Sequence, residues 1–227
     1  MHRGESLSLL LQLVSPTLPV GGYSYSRGLE NAVEERIVQD EHSAARWLKD
    51  HLHYTIYKFE APLYWRMYQG WKGASVEEVM RWNDFFYASC ETAELRAEAI
   101  QMGSSLAALL RNLGSFTIES LSQLNALDSA SFPAVFGFAA CEWRISPRYA
   151  LQGYMFSLLE HQVSAAIKIV PLGQTTGQRI LYQLAAEVAT LAAAAVRLND
   201  EDISNFAIGA AIASSRHETQ YSRLFRS

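Results

Sequence analysis

Apolar residues recur at three- and four-residue spacing in nearly every long segment of this chain, and no segment sustains an apolar-polar alternation of period two. The first spacing places apolar side chains along one face of an α-helix, whereas a half-buried strand requires the second. No internal repeat, linker or low-complexity segment marks a domain boundary. We therefore predict an all-α fold, a single-domain helical bundle of about ten helices over residues 1–227.

Start and stop signals divide the chain into these helices. Pro62 interrupts the pattern of residues 40–69 and predicts a kink or a break near that position, because proline removes a helical hydrogen bond. Ser75, followed by Glu78, is typical of a capping box. Gly103 costs roughly 1 kcal/mol relative to alanine inside a helix, which predicts the close approach of a second helix. The predicted helices span about residues 5–14, 24–36, 40–69, 75–88, 91–114, 118–127, 132–145, 149–170, 175–198 and 203–213.

The segment Ser15–Glu30, SPTLPVGGYSYSRGLE, separates the first two predicted helices and is called the joint below. Its two prolines fix φ, and its Gly-Gly pair permits positive φ. Ser24 and Ser26 offer hydroxyls to cap the helix that follows. The plainest interpretation is a loop with a helix start. The alternative is that a rigid segment bearing Tyr23 and Tyr25 forms a surface that faces a partner protein.

The charge of the chain excludes one class of function. A net charge of −4 provides no positive field for phosphate backbones, and Lys and Arg do not cluster among aromatic residues. Charged residues make up 19% of the sequence and hydrophobic residues 49%, a balance typical of a chain that buries a sizeable core. We therefore predict no nucleic-acid partner.

Three features favour a cytoplasmic protein. Cys90 and Cys141 stand alone and form no CxxC pattern, as expected of reduced core residues. The apolar run at residues 7–14 is short and no small-x-small cleavage site follows it, so we predict no export signal. The run at residues 191–196 is far shorter than the roughly 20 residues that span a bilayer, so we predict no membrane span.

Sequence patterns of known catalytic chemistry are incomplete in this chain. The glycine-rich segments lack the spacing of a phosphate-binding loop, and Gly22-Tyr23-Ser24 matches only the first half of a nucleophile elbow. His51 and His53 are two positions apart, which points them to different helix faces and prevents them from sharing a metal ion. We predict a protein that is not an enzyme and has no catalytic, cofactor-binding or metal-binding residues of its own.

One alternative is a helical metal-dependent enzyme. Glu91, Glu94 and Glu98 recur at three- and four-residue spacing and, with Arg96, make a charged stripe on a helix. Paired carboxylates serve as general acid and base or as ligands for a hard metal ion. Such a stripe is more often a solvated helix face, and both interpretations stay open at this point.

The C-terminal segment, residues 214–227, is called the tail below. Arg216, Tyr221, Arg223 and Phe225 belong to residue types that are common in protein interfaces, yet the segment has too little apolar content to fold alone. We predict either a frayed terminus or a flexible tail that becomes ordered on a partner.

Four blocks of sequence carry a family resemblance. They are SPTLPVGGYSYSRGLE (Ser15–Glu30), ELRAEAIQMG (Glu94–Gly103), HQVSAAIKIVPLGQTTGQ (His161–Gln178) and RHETQYSRLFRS (Arg216–Ser227). Together, and in this order, the blocks resemble the UreF family of urease accessory proteins. No family block is missing, so the resemblance spans the whole chain.

The resemblance implies an all-helical, non-enzymatic, cytoplasmic homodimer with no cofactor of its own. It further implies a scaffold that bridges UreD, also called UreH, and the GTPase UreG. Their complex delivers nickel to apo-urease, and this chain would control when the GTPase turns over. Composition and helical periodicity alone could not have identified these partners.

The resemblance also suggests where the partners bind. The tail, from Arg216 to Ser227, would contact UreD, and the joint together with the turn Lys168–Gln178 would contact UreG or urease. The candidate partner-binding residues are Pro19, Gly21, Gly22, Tyr23, Ser24, Tyr25, Ser26, Arg27, Glu30, Lys168, Gly173, Gln174, Arg179, Arg216, Glu218, Tyr221, Arg223, Leu224, Phe225 and Arg226.

Three charged residues carry more specific expectations. Lys168 lies in an apolar context, so we expect it either to reach the surface or to pair with a carboxylate across the joint, with Glu30 as the candidate. Arg27 and Arg179 are candidates for an arginine finger, which would stabilise the charge that develops during GTP hydrolysis by the partner. A scaffold that only orders the switch loops of the GTPase would carry the same sequence.

Overall fold

The computed structural model describes residues 3–226, with side chains from residue 6 onward, so the last predicted tail residue, Ser227, lies outside the described residues. Within this range the backbone forms helices and turns and no strand, which confirms the all-α prediction. None of the helices described is long and apolar enough to cross a membrane. The α-helices are α1 (Arg3–Leu13), α2 (Leu29–Glu34), α3 (Glu41–Asp50), α4 (Ala61–Lys72), α5 (Val76–Ala88), α6 (Ala93–Leu113), α7 (Ile118–Asn125), α8 (Phe132–Glu142), α9 (Pro147–Ile169), α10 (Gln174–Ala195) and α11 (Ile208–His217). A π-helix (His51–Glu60) joins α3 to α4, and 3-10 turns occupy Gly22–Ser24 and Asp200–Asp202.

Helix α9 is the centre of the bundle. It packs against α1, α2, α3, α4, α8 and α10 and against the π-helix. Its buried side chains lie on every face, as expected of a helix that is surrounded by neighbours. Tyr154 stacks on Tyr64 of α4 with ring centroids 4.7 Å apart, and Phe136 of α8 meets both rings edge-on. An aromatic cluster around α9 therefore forms the core.

The predicted break near Pro62 is a change of helix type. α3 ends at Asp50, and the backbone continues as the π-helix and then as α4. The N–H of Ala61 bonds to the carbonyl of Ile56, five residues earlier, and Pro62 lies in the first turn of α4. Proline is tolerated in the first turn of a helix because its missing N–H has no obligatory partner there. The helix therefore continues past Pro62 instead of ending at it.

Local capping residues mark the predicted start of α5 and the predicted end of α6. Ser75 precedes α5, and its hydroxyl accepts a bond from the backbone N–H of Glu78 at 3.4 Å. Only this half of the predicted capping box forms, because the Glu78 carboxylate pairs with Arg81 and the Ser75 N–H donates to the carbonyl of Gly70. Gly114 ends α6 with a φ of 64°, a left-handed conformation that favours glycine. The last helix, in contrast, begins later than predicted. It starts at Ile208, because the preceding backbone is irregular and the Ser204 N–H bonds to another part of the chain.

Gly103 of α6 allows a close approach, as predicted, although the neighbour is not a helix. A Cβ atom at this position would lie 2.0 Å from the carbonyl oxygen of Ala130 and 2.8 Å from the carbonyl carbon of Ser131. These two residues belong to the irregular segment that leads into α8. The missing side chain thus lets the entry of α8 lie directly on α6.

Candidate partner-binding surface

The joint follows α1 as irregular backbone and packs against α9. Gly21 adopts a φ of 78°, and the 3-10 turn Gly22–Ser24 follows it. A Cβ atom on Gly22 would lie 2.3 Å from Cε1 of His161, so only glycine lets the joint lie on the imidazole ring of α9. This contact explains the second glycine of the Gly-Gly pair.

Helix α2 begins at Leu29, near the end of the joint, and not near residue 24, because two residues in front of it have positive φ. Arg27 has a φ of 51° and Gly28 a φ of 83°, values that interrupt a right-handed helix. The hydroxyl of Ser26 still accepts a bond from the Glu30 N–H at 3.3 Å, in the capping role predicted for it. A Cβ atom on Gly28 would lie 2.7 Å from the backbone nitrogen of Ser214, so the joint also packs on α11.

Arg27 is buried between two carboxylates. Its Nε donates to Oε1 of Glu98 at 2.8 Å, and its Nη1 contacts Oε1 of Glu60. The hydroxyl of Tyr154 donates to the second oxygen of Glu60 at 2.7 Å. Burial lowers the pKa of the Arg27 guanidinium, but the two carboxylates oppose burial and hold the pKa above its ordinary value. This ion cluster attaches the joint to α6 and to the π-helix.

The two candidates for an arginine finger have different surroundings. Arg27 suits this role less well, because its guanidinium is engaged by Glu60 and Glu98 and only 11% of its side chain is exposed. Arg179 lies on α10 with 54% of its side chain exposed, and it pairs with Glu41 of α3 at 2.8 Å. An exposed pair of this kind contributes little and can be exchanged for another anion. Arg179 is therefore the more accessible of the two candidates.

The tail folds back onto the joint through the carboxylate of Glu30. The backbone N–H groups of Leu224 and Phe225 donate to its two oxygens at 2.6 and 2.9 Å. The N–H of Arg226 donates to the carbonyl of Ser24 at 2.9 Å, and the side chain of Phe225 is buried. Residues 218–226 therefore pack against their own chain, an arrangement that sequence reasoning did not predict.

Lys168 contacts both the joint and the tail. Its ammonium group donates to the carbonyl of Tyr23 at 3.3 Å and lies 5.3 Å from the Tyr23 ring centroid and 5.6 Å from that of Phe225. Both ring distances are in the cation–π range. The expected pair with Glu30 is wrong, because Glu30 is occupied by the tail amides and by His217. The joint and the Lys168 turn do lie together, as expected.

His217 of α11 is buried between two carboxylates. Its Nε2 lies 3.1 Å from Oε2 of Glu30, and its Nδ1 lies 2.7 Å from Oε2 of Glu94. Arg223 contacts the other oxygen of Glu94 at 2.6 Å. Glu218 accepts the first backbone N–H of α6 at 2.8 Å, at the positive end of that helix. One network of charged groups thus connects α2, α6, α11 and the tail.

Burial divides the candidate residues into those that support the surface from below and those that are exposed on it. Tyr25 belongs to the first group, and burial raises the pKa of its hydroxyl, while the hydrogen bond and the charge of Arg226 oppose that rise. The buried or half-buried candidates are Gly21, Gly22, Ser24, Tyr25, Ser26, Arg27, Glu30 and Phe225. The exposed candidates are Pro19, Tyr23, Lys168, Gly173, Gln174, Arg179, Arg216, Glu218, Tyr221, Arg223, Leu224 and Arg226.

Arg27 and Glu30 were selected from the sequence as partner-binding candidates, but four other residues that help to hold the surface together were not. Glu94, Glu98, His161 and His217 all lie within the four family-like blocks, which was the one available signal. Their partners are far away along the chain, as in the contact of His217 with Glu30 across 187 positions. No local pattern could have identified those pairs.

The carboxylate stripe of α6 is divided among separate partners. Glu91 lies before the helix and accepts a bond from Asn205 at 3.0 Å, whereas Glu94 contacts the tail. Glu98 is 4% exposed and pairs with Arg27, so the interpretation as a solvated face is wrong for this residue. Burial raises the pKa of Glu91, and the Asn205 hydrogen bond opposes that rise. Among the residues with described positions, no group of three or more His, Cys, Asp or Glu side chains is placed to hold a metal ion.

Comparisons with known proteins match nearly the whole chain. The UreF family profile matches residues 38–185. The urease accessory protein UreF of Azoarcus sp. (strain BH72) is 51% identical over 220 residues, which cover 96% of this chain and 94% of the relative. The urease accessory protein UreF of Dechloromonas aromatica (strain RCB) is 47% identical over 222 residues, which cover 97% of this chain and 97% of the relative. A bifunctional urease accessory protein UreEF of Bordetella bronchiseptica is 45% identical over 224 residues, which cover 97% of this chain and 52% of the relative.

Proposed function

This chain belongs to the UreF family, and on that premise we propose that it is a non-catalytic scaffold for urease maturation. It acts in the cytoplasm, bridges UreD (UreH) and the GTPase UreG, and is required for the insertion of nickel into apo-urease. It also modulates GTP hydrolysis by UreG. Nickel is the cargo of the complex, and the scaffold needs no cofactor.

The observation that supports a scaffold is the packing of the joint, the Lys168 side chain and tail residues 218–226 into one surface, called the composite surface below. Bonds to the half-buried side chains of Arg27 and Glu30 hold its backbone in place. Tyr23, Tyr221 and Leu224 project from it into solvent. Large exposed side chains on an ordered frame bind partners with a small entropic cost.

We assign the tail to UreD and the joint with the Lys168 turn to UreG or apo-urease. Glu30 holds the tail amides, and Lys168 contacts both Tyr23 and Phe225. A partner that moves the tail must therefore disturb the joint. Binding of UreD then changes the affinity for UreG, and binding of UreG changes the affinity for UreD by the same factor. The effect on GTP hydrolysis arises either from Arg179 or from ordering of the switch loops.

We further propose that the chain is a homodimer formed through α1 and α10. Leu7 and Leu11 of α1 are 57% and 60% exposed, and Tyr182 of α10 is 81% exposed. Between the two helices lies a groove of about 260 Å³ that Gly153 of α9 helps to line. A second copy would cover this apolar face, as two-fold symmetric dimers commonly do.

The substitution Leu11→Asp is expected to yield a monomer, because a carboxylate buried in an apolar interface loses its hydration. Light scattering after size-exclusion chromatography would then give a mass near 25.4 kDa instead of twice that value. Ile118→Asp, at an exposed apolar position of α7, is the matched control and should stay dimeric. A Leu11→Asp protein with the dimer mass would contradict this interface.

Removal of residues 221–227 is expected to abolish co-purification with UreD and to prevent urease activation in a reconstituted system. The truncation deletes the amides that bind Glu30 and the buried Phe225 side chain. Helicity should be retained, because α11 ends at His217. A longer deletion from Ser214 suits this test less well, because it also removes buried His217 and the last turn of α11. A truncated chain that still binds UreD would refute the assignment of the tail.

A point variant tests the same contact in the full-length chain. Glu30→Gln should weaken UreD binding about tenfold or more, because bonds to a charged acceptor contribute roughly 1.5–3 kcal/mol. Glu34→Gln is the matched control, since Glu34 lies on the same helix and is exposed. Equal binding by the two variants would show that the Glu30 contact does not position the tail.

A further inference from the structure

A cavity lies between α3, the π-helix and the start of α11, and none of the residues that line it belongs to the composite surface. Its volume is about 240 Å³. Trp47, Asp50, His51 and Tyr54 line one wall, and their spacing places them on one helical face. The segment Phe206–Ala210 forms the opposite wall. The cavity is at the N-terminal end of α11, whereas the tail leaves from the C-terminal end.

Three of the nine residues that line this cavity carry a large aromatic ring. Trp47, Tyr54 and Phe206 all contribute to the lining. Tyr54 is 53% exposed and Phe206 is 72% exposed, so neither ring is satisfied by packing within the chain. The face of an aromatic ring carries partial negative charge and attracts cations. Three such rings around one cavity favour the binding of a positively charged group.

The charge of the lining also favours a positively charged group. Asp50 is the single formally charged residue among those that line the cavity, and it has no ion pair among the described residues. His51 is 5% exposed, and neither ring nitrogen has a hydrogen-bond partner in the described chain. Burial, together with the charge of Arg27, lowers the pKa of His51 to about 3, so the ring is neutral at pH 7. Both ring nitrogens are closed to solvent, so this neutral ring adds no positive charge and no accessible acceptor to the cavity.

We propose that this cavity binds an arginine side chain presented by a partner protein. The guanidinium would stack on the aromatic walls and pair with Asp50. A lysine ammonium meets the same charges, but it lacks the planar face that stacks on rings and the fork of donors that engages both oxygens of a carboxylate. An acidic side chain would be repelled by Asp50 and by the ring faces, and an apolar one would leave Asp50 without a cation.

This inference goes beyond the proposed function, because it concerns different residues and does not depend on the identity of the partner. The probe is butylguanidinium, which reproduces the end of an arginine side chain. Uniformly ¹⁵N-labelled full-length protein is titrated with it, and the indole N–H signal of Trp47, assigned with Trp47→Phe, is followed by NMR. We expect a saturable shift with a dissociation constant in the millimolar range, and weaker binding of butylammonium.

Protein variants, together with an uncharged and an anionic analogue of the probe, decide between the alternatives. Asp50→Asn should weaken butylguanidinium binding roughly fivefold, and Phe206→Ala should weaken it by a similar factor. Asp128→Asn, an exposed aspartate in the segment between α7 and α8, is the matched control and should bind as the parent chain does. Butyramide and butyrate should produce no saturable shift.

Three results would overturn the proposal. The first is the absence of a saturable Trp47 shift with butylguanidinium, and the second is an equal shift with butyramide, which would identify an ordinary apolar pocket. The third is unchanged binding by Asp50→Asn. The indole spectrum itself reports whether each variant is folded. No urease protein takes part in the titration, so failure here is distinct from failure of the proposed function.

Discussion

Replacing Arg27 with alanine is expected to lower the free energy of unfolding by about 3–5 kcal/mol, because two buried carboxylates lose the cation between them. Glu60 and Glu98 both contact the guanidinium, and their side chains are at most 5% exposed. Alanine has a Cβ atom as arginine does, so the backbone strain at a φ of 51° is the same in both proteins. Urea unfolding followed by circular dichroism measures the difference.

Two further variants identify the cause of this loss. Arg179→Ala removes an exposed pair with Glu41 and should cost less than about 1 kcal/mol. Adding Glu60→Gln and Glu98→Gln to Arg27→Ala removes the stranded charges and should recover part of the stability. If Arg27→Ala costs no more than Arg179→Ala, the buried ion cluster does not hold the joint in place.

Replacing Gly28 with alanine is expected to cost about 2–5 kcal/mol, from a left-handed backbone and an overlap with a neighbouring backbone atom. Gly28 has a φ of 83°, and a Cβ atom there would lie 2.7 Å from the nitrogen of Ser214. Relief of that overlap requires the joint to move away from α11. Thermal unfolding gives the stability, and the UreD co-purification assay should show weaker binding, because Glu30 lies two residues further on.

Gly114→Ala separates the cost of a side chain on a left-handed backbone from the cost of the overlap with Ser214. Gly114 also has a positive φ, of 64°, but a Cβ atom there would meet nothing within 4 Å. Its replacement should therefore cost only the backbone term, about 1–2 kcal/mol. The excess cost of Gly28→Ala over Gly114→Ala measures the contact between the joint and α11. Equal costs would mean that this contact adapts without strain.

Features that depend on neighbouring residues could be predicted from the sequence. The spacing of apolar residues led to an all-α fold, and Ser75 and Gly114 mark the ends of helices where local capping rules place them. The four family-like blocks led to the UreF family, which the comparisons show. Backbone conformation was harder to predict at Arg27, since a positive φ is uncommon for any residue except glycine.

The candidate site was predicted only in outline. The joint, Lys168 and the tail were each selected, and the structure brings them together. The expected pair of Lys168 with Glu30 was wrong, because both residues have other partners. The carboxylate stripe was misread as well, since Glu98 is buried beside Arg27.

By itself, the sequence determined which segments become helices and to which family the chain belongs, because helical hydrogen bonds join residues four positions apart and the blocks are contiguous. The tertiary structure alone decided which charges are buried, which carboxylate receives the tail and which aromatic rings surround Asp50. Those outcomes depend on contacts between residues that are far apart in the chain, such as His217 and Glu30, and the packing of the whole bundle sets those contacts.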